Sequence, residues 1–185
     1  APTCPLARAL TTLDRYERWL VEPRPLGDDG RCWSPGVKRD VALLSRVEPR
    51  DGDLLTVLDV SLHENREPLL RALAAGAGCT YFDHHFPGDI PAHPQLIAHI
   101  RYAPDTCTSL IVDAVLQGRY RAWAVAAAFG DNLPQAARDA ARPLELAPER
   151  LELLRELGEL LNYNAYGESV EDLHFHPATL YGRLS

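Results

Sequence analysis

The chain has 185 residues, of which 46% are hydrophobic and 24% are charged, and its formal net charge is −7. This composition is typical of one globular domain with a full core and argues against a disordered chain. The negative charge argues against an extended nucleic-acid-binding face, which needs clustered positive charge, but it is compatible with a small phosphorylated substrate.

The N-terminal part of the chain predicts two helices with a loop between them. Apolar residues at helical spacing predict an amphipathic helix over residues 6–21. Residues 22–30 are rich in Pro, Gly and Asp, which predicts a loop. A second, short helix is predicted over residues 37–47.

The middle of the chain predicts a βαβ unit. Short, β-rich apolar runs predict buried parallel strands over residues 54–60 and 79–82, with a helix over residues 64–75 between them. A further short strand is predicted over residues 96–102. The fold class predicted is therefore α/β, a Rossmann-like three-layer αβα sandwich with a mainly parallel core sheet.

The C-terminal part predicts helices. Hydroxyl residues at 106–109 predict the cap of a helix that runs through Leu116, and residues 121–129 and 148–161 predict two more helices. We interpret residues 1–185 as a single, incomplete domain. Its N-terminal helix and loop over 1–35 are divergent, and 143–185 form a helical connector region.

Three features bear on the compartment. No apolar run approaches the roughly 20 residues of a membrane helix, and residues 1–20 lack a signal-peptide pattern. The four cysteines form no Cys-x-x-Cys pair, so we interpret them as reduced, mostly buried residues. These features favour a cytoplasmic protein with no membrane partner.

Acidic and imidazole side chains follow two of the predicted strands. Asp59 lies at the end of one strand, and Asp83, His84 and His85 follow the next. Ligands of open parallel sheets sit beyond the carboxyl ends of the strands, and neighbouring strands lie about 4.8 Å apart. These side chains can therefore converge on one divalent cation. Asp131, after the helix over 121–129, could supply a third carboxylate.

Each of these residues also has a purely structural interpretation. Asp59 could be a loop or cap residue, and Asp131 could be a polar end to its helix. The two adjacent histidines could be surface residues near a Pro-rich turn. A generic α/β domain with an accidental Asp-His-His sequence therefore stays open.

The ordered set of motifs resembles the DHH phosphoesterase superfamily. The set comprises Asp83-His84-His85 after an apolar strand, Asp59 within residues 57–62, and Gly130-Asp131-Asn132 after an Ala-rich helix. The superfamily includes RecJ-like exonucleases, oligonucleotide and cyclic-dinucleotide phosphodiesterases, and inorganic pyrophosphatases. The resemblance covers residues 36–174, and the stretches 36–40 and 161–167 are similar to those of bacterial members of unassigned substrate.

The resemblance implies a role for each motif residue. Asp59 would bridge two Mn²⁺ ions (Mg²⁺ or another divalent cation could replace them), and His84 and Asp131 would complete the ligands of one ion. His85 would contact the substrate phosphate, and Asp83 would orient an imidazole. The reaction implied is hydrolysis of a phosphodiester or phosphoanhydride by metal-activated water.

The chain departs from the superfamily pattern at both ends. The Asp-x-Asp motif that supplies most ligands of the first metal is missing, and Asp28 and Asp29 are its nearest candidates. We also expect residues 1–185 to lack the smaller C-terminal domain that closes over the substrate in the superfamily. We therefore expect a weakly active or inactive phosphoesterase. The alternative is a non-catalytic relative that binds a nucleotide or a protein partner through the same cleft.

Two basic residues are candidates for holding phosphate. Lys38 and Arg39 stand together before the predicted βαβ unit, and Arg could bind phosphate through two hydrogen bonds. The two residues could equally be solvent-exposed side chains at the start of a helix, with no role in binding. Oligomeric state is open, although the sheet edge left by a missing first strand would favour a homo-oligomer.

Overall fold

The computed structural model describes residues 37, 38, 40–177, 179 and 180. These residues form two compact units, a first unit up to Tyr102 and a second unit from Ala103 onward. The helix predicted over residues 6–21, the loop over 22–30 with Asp28 and Asp29, and Arg39 lie outside the described residues. The predicted domain bounds stay a prediction.

The first unit contains a three-stranded parallel sheet. Its strands are β1 (Leu54–Leu58), β2 (Gly78–Asp83) and β3 (Leu96–Ile100), in the order β1-β2-β3. Helix α1 (Arg66–Ala74) connects β1 to β2. The predicted α/β class with a parallel βαβ core is confirmed, and the topology is consistent with a Rossmann-like αβα sandwich.

One face of this sheet packs into a hydrophobic core. Side chains alternate between the two faces along each strand, so every second residue points to the same side. Members of the core come from β1, β2, α1 and the loops beside them: Leu44, Leu55, Val57, Leu62, Leu69, Ala72, Leu73, Ala77, Cys79 and Tyr81. Burial of this face fixes the register of the strands, because a one-residue slip would turn the apolar set to the other side.

Two predicted strands end earlier than the sequence pattern indicates. The first was predicted to reach Val60 but ends at Leu58, because Asp59 takes a left-handed conformation with φ of 59°. The third was predicted to reach Tyr102 but ends at Ile100. Both differences place polar or exposed residues just beyond the sheet instead of within it.

The short helix predicted over residues 37–47 is not formed in full. The structure has a turn followed by a 3-10 helix over Leu43–Arg46. The side chain of Asn65 accepts a hydrogen bond from the Leu44 N–H group (3.1 Å) and donates one to the Val41 carbonyl (2.6 Å). These long-range bonds take backbone groups that a continuous helix would need for itself.

The second unit is helical. Its helices are α2 (Thr108–Val115), α3 (Arg121–Gly130), α4 (Pro134–Ala141) and α5 (Pro148–Asn164). The predicted helices are present, α4 was not predicted, and α2 begins after Cys107 instead of a hydroxyl residue. Nowhere in the described part of the chain does a helix have the length and apolar character needed to cross a membrane.

Candidate metal site at the carboxyl end of the sheet

The first and second strands end side by side. Because β1 and β2 are parallel and Leu58 pairs with Phe82, the residues that follow them lie at the same end of the sheet. The Asp59 N–H group donates a hydrogen bond to the Phe82 carbonyl at 3.0 Å and extends this pairing by one residue. Asp59 therefore lies beside the start of the Asp83-His84-His85 sequence.

Three side chains at this end of the sheet converge. The Oδ1 atom of Asp59 lies 3.5 Å from Nε2 of His84, and the rings of His84 and His85 meet edge to face with centroids 4.5 Å apart. One potential ligand atom from each of the three residues lies within 4.8 Å of the other two. Ligand atoms about 2.1 Å from a shared ion are roughly 3–4 Å apart, so this donor set fits a cation after small side-chain rotations. We call these three residues the Asp59 cluster.

The backbone conformation of Asp59 contributes to this geometry. Its φ of 59° lies in the left-handed region, which is uncommon for residues other than Gly but better tolerated by Asp and Asn. The conformation ends β1 abruptly, and 61% of the side chain is exposed at the sheet end. Unusual backbone conformations held by their surroundings concentrate at functional sites, which makes this one consistent with a ligand position.

Asp83 lies beneath the cluster and is fully buried. Its Oδ1 atom accepts hydrogen bonds from the N–H groups of His84 (2.9 Å) and His85 (3.2 Å). Its Oδ2 atom accepts a hydrogen bond from the Leu62 N–H group at 3.3 Å. A buried carboxylate needs such donors to offset the loss of hydration. Asp83 therefore supports the site from within the protein and does not point to solvent.

The same carboxylate orients His85. The Nδ1 atom of His85 lies 2.7 Å from Oδ1 of Asp83, the atom that already accepts two backbone N–H groups. The imidazole must therefore donate from Nδ1 to this oxygen. Nε2 is left as the ring nitrogen that a cation or a phosphoryl group can contact. This arrangement is the one in which a carboxylate fixes the tautomer of a ligand histidine.

Tyr81 is buried two residues before Asp83 on β2, and Cys79 is buried nearer the start of the same strand. The Tyr81 hydroxyl donates a hydrogen bond to the Val60 carbonyl at 2.8 Å and so fixes the loop after Asp59. Burial, assisted by the Asp83 carboxylate, raises the pKa of Tyr81, so the hydroxyl stays a donor. Burial also raises the pKa of Cys79 to about 12, so this thiol is neutral near pH 7 and poorly suited to bind a metal.

The prediction that the cysteines are reduced and mostly buried is confirmed for the two that the structure describes. Cys79 and Cys107 are buried thiols and do not form disulfides. Cys4 and Cys32 lie outside the described residues.

The structure places the other predicted site residues as follows. Asp131 is the C-cap of α3 in the second unit, and its N–H group donates to the Ala127 carbonyl at 2.9 Å. Lys38 is exposed in the turn that precedes the 3-10 helix of the first unit. The metal-binding role of Asp131 and the phosphate-binding role of Lys38 stay predictions, and Arg39 lies outside the described residues.

Sequence reasoning missed the aromatic side chains at this end of the sheet. Phe86 follows His85, and Tyr102 lies two residues beyond β3. Both rings are exposed and they contact each other edge to face, with centroids 6.0 Å apart. The signal that could have found them is their place just after parallel strands, where ligands bind.

No protein-family model, curated protein or solved structure matches the chain. The function is therefore inferred from the geometry of the Asp59 cluster and from the resemblance of the motifs that form it.

Proposed function

We propose that this protein is a divalent-metal-dependent phosphoesterase of the DHH superfamily, with Asp59, His84 and His85 at its metal and phosphate site. One observation carries the proposal: donor atoms of these three residues lie within 4.8 Å of one another at the carboxyl end of a parallel sheet. This is the end at which open α/β sheets bind their ligands. The resemblance of the motifs supplies the reaction class.

The donor set favours Mn²⁺ as the ion. A carboxylate and an imidazole, from Asp59 and His84, suit manganese, iron or zinc, whereas Mg²⁺ prefers oxygen ligands and keeps several waters. Cys79 is buried and neutral and lies toward the start of β2, away from the cluster, so it offers no thiolate that would select a softer metal. The superfamily resemblance favours manganese among the ions that remain.

Each residue has a distinct part in the proposed reaction. Asp59 and His84 would hold the ion, and His85 would contact the phosphoryl group through Nε2. Asp83 would keep that imidazole in place and in the correct tautomer. When bound, the ion would supply an activated water and offset the negative charge that develops on the phosphoryl oxygens.

A second candidate is nucleotide binding without hydrolysis. Within the described ranges, the Asp59 cluster is the one group of three or more side chains close enough to share an ion. Two-metal phosphoesterases use a pair of ions to stabilise both the attacking and the leaving oxygen. A site that holds one ion can bind a phosphate without that pair, which favours a binding protein.

Metal titration and a hydrolysis assay test the proposal together. Mn²⁺ affinity would be measured by calorimetry for the parent chain, for His84→Ala and for His93→Ala. His93 is a matched control because it belongs to the same unit but lies outside the cluster. We expect His84→Ala alone to lose affinity. Equal Mn²⁺ affinity in all three proteins would remove the proposed site.

Hydrolysis separates the two candidates. Mn²⁺-dependent cleavage of bis-p-nitrophenyl phosphate that is lost in His84→Ala would support the enzyme. Mn²⁺ binding with no cleavage of this ester, or of any nucleotide offered in its place, would leave the nucleotide-binding protein as the function.

A further inference from the structure

Three aromatic side chains form a cluster of their own in the first unit. The Phe86 ring contacts the rings of His63 and Tyr102, with centroid distances of 5.8 Å and 6.0 Å. Phe86 is 58% exposed and Tyr102 is 72% exposed. We call Phe86, Tyr102 and His63 the aromatic cluster. Large rings that stay in solvent side by side are a feature of binding surfaces.

The aromatic cluster adjoins the Asp59 cluster. Phe86 is the residue after His85, so its backbone is continuous with a proposed ligand. On the other side, the Arg101 N–H group donates to the Asp83 carbonyl at 3.2 Å, which places the end of β3 against the end of β2. Tyr102 follows Arg101 directly. The rings and the candidate metal site therefore share one end of the sheet.

The loop after Phe86 runs close to His63. Gly88 has a φ of 60°, and a Cβ atom added there would lie 2.6 Å from Nδ1 of His63. The His63 ring therefore has Gly88 on its Nδ1 side and also contacts the Phe86 ring.

The arrangement of the rings suits a flat ligand. Phe86 and Tyr102 meet at 74°, so they do not stack on each other, and a face of each ring can accept another aromatic group. Arg101, next to Tyr102, is exposed, and its guanidinium makes no hydrogen bond or ion pair with any described residue. Stacking rings beside a positive side chain and a cation site would complement a ligand that joins an aromatic ring to a phosphate.

We infer that Phe86 and Tyr102 form a subsite that stacks the nucleobase of a nucleotide whose phosphate lies at Asp59, His84 and His85. The inference rests on the proposed function, because a cation at the Asp59 cluster is what holds the phosphate. It assigns nucleotides as the substrate class. Pyrophosphate, which has no ring, would leave the aromatic cluster unused.

Two ligands that differ by one nucleobase test the subsite. Calorimetry on the Mn²⁺-loaded protein would compare AMP with ribose 5-phosphate. We expect AMP to bind at least about fivefold more tightly, since base–aromatic stacking contributes that much or more in nucleotide sites. A double variant, Phe86→Ala with Tyr102→Ala, should lose this difference while its affinity for ribose 5-phosphate stays unchanged.

Two further variants make the test specific. Phe86→Leu keeps an apolar side chain but removes the ring, so it should reduce the AMP preference severalfold. Val41→Ala removes an exposed apolar side chain of the same unit outside the aromatic cluster, so the preference should stay as in the parent. All positions changed are exposed, so the variants should fold, and circular dichroism checks this.

The outcomes distinguish the subsite from the proposed function. Normal Mn²⁺ binding with equal affinity for AMP and ribose 5-phosphate would overturn the nucleobase subsite and leave the metal site standing. An AMP preference that survives in the double variant would also overturn the subsite, because it would show that Phe86 and Tyr102 do not stack the nucleobase. A parent chain that binds no Mn²⁺ would overturn both.

Discussion

The Nδ1 atom of His85 lies 2.7 Å from the Oδ1 atom of Asp83, a carboxylate with no exposed surface. The same side chain accepts the Leu62 N–H group, which belongs to the loop after β1. Asp83 therefore connects the loop that carries Asp59 to the sequence that carries both histidines. This buried acceptor therefore helps to fix the relative position of the donors at the candidate site.

Replacing Asp83 with Asn should destabilise the protein and weaken its metal site. Asparagine has one acceptor oxygen, and its amide NH₂ group would face N–H donors that now bond to a carboxylate. Leaving buried donors unsatisfied costs about 1–3 kcal/mol. Asp83 also accepts the N–H group of the proposed ligand His84, and losing such an outer partner lowers metal affinity roughly 10–100-fold. Urea unfolding and Mn²⁺ titration would measure the two effects.

Asp89→Asn is the matched control for this change, because Asp89 is an exposed aspartate of the same unit. It should unfold at the same urea concentration as the parent. An Asp83→Asn protein that matched this control in stability and in Mn²⁺ affinity would contradict the role given to the buried carboxylate.

Two substitutions at Asp59 should separate its backbone role from its ligand role. Asparagine tolerates the left-handed conformation, so Asp59→Asn should keep the parent's stability, whereas Asp59→Ala should lose about 1 kcal/mol. Both remove a carboxylate, so both should bind Mn²⁺ at least about tenfold more weakly. Denaturant midpoints would measure the stability of both variants, and calorimetry would measure their Mn²⁺ affinity. Unchanged Mn²⁺ affinity in Asp59→Asn would exclude this side chain as a ligand.

The sequence predicted the sheet because its signals there are local. The residues of β1 and β2 form short apolar runs with a helix between them, and parallel pairing then brings Asp59 near His84. The Asp59 cluster could therefore be anticipated from chain order alone. The hydrogen bond from Leu62 to Asp83 and the contact between Phe86 and Tyr102 could not, because both depend on three-dimensional packing between segments distant in the sequence.

Elements with weak local signals were missed or misread. Helix α4 has eight residues and buries only Ala137 and Ala141, so it has no large apolar side chains at helical spacing. The helix predicted over residues 37–47 has adequate local spacing, but Asn65, which lies more than 20 residues away, takes its backbone groups. Tertiary hydrogen bonds overrode propensity there, as they often do in short helices.

The contact between α3 and α5 should depend on the missing side chain of Gly158. A Cβ atom added at this position would overlap the Ala126 carbonyl oxygen and lie 2.9 Å from the Gly130 nitrogen. Since both are backbone atoms, the helices would have to move apart. Gly158→Ala should therefore cost about 1–3 kcal/mol despite the better helix propensity of alanine. Thermal unfolding would measure the loss.

Leu160→Ala, at an exposed position on the same helix, provides the comparison for Gly158→Ala. Surface substitutions of this kind usually change stability by less than about 0.5 kcal/mol. A Gly158→Ala protein as stable as this control would show that the two helices do not pack as closely as described.

Stability should fall in alkaline solution because of Cys79. Burial raises the pKa of this thiol from 9.0 in the unfolded chain to about 12 in the folded protein. Between these values the unfolded chain loses a proton that the folded protein keeps, so rising pH favours unfolding by about 1.4 kcal/mol per pH unit. Below pH 9 this group should have no effect. Tyr81 acts in the same direction, but only above its ordinary pKa of 10.0.

Between pH 9 and pH 10 the thiol therefore contributes more than Tyr81, which ionises in the unfolded chain mainly above pH 10. Free energies of unfolding from urea titrations across this interval should decline more steeply for the parent than for Cys79→Ala, even though the variant starts from a lower value because of the cavity it creates. The comparison uses the slopes with pH, so that lower starting value does not affect it. Parallel slopes would mean that the Cys79 thiol ionises as readily in the folded protein as in the unfolded chain, and that the core around Cys79 is open to water.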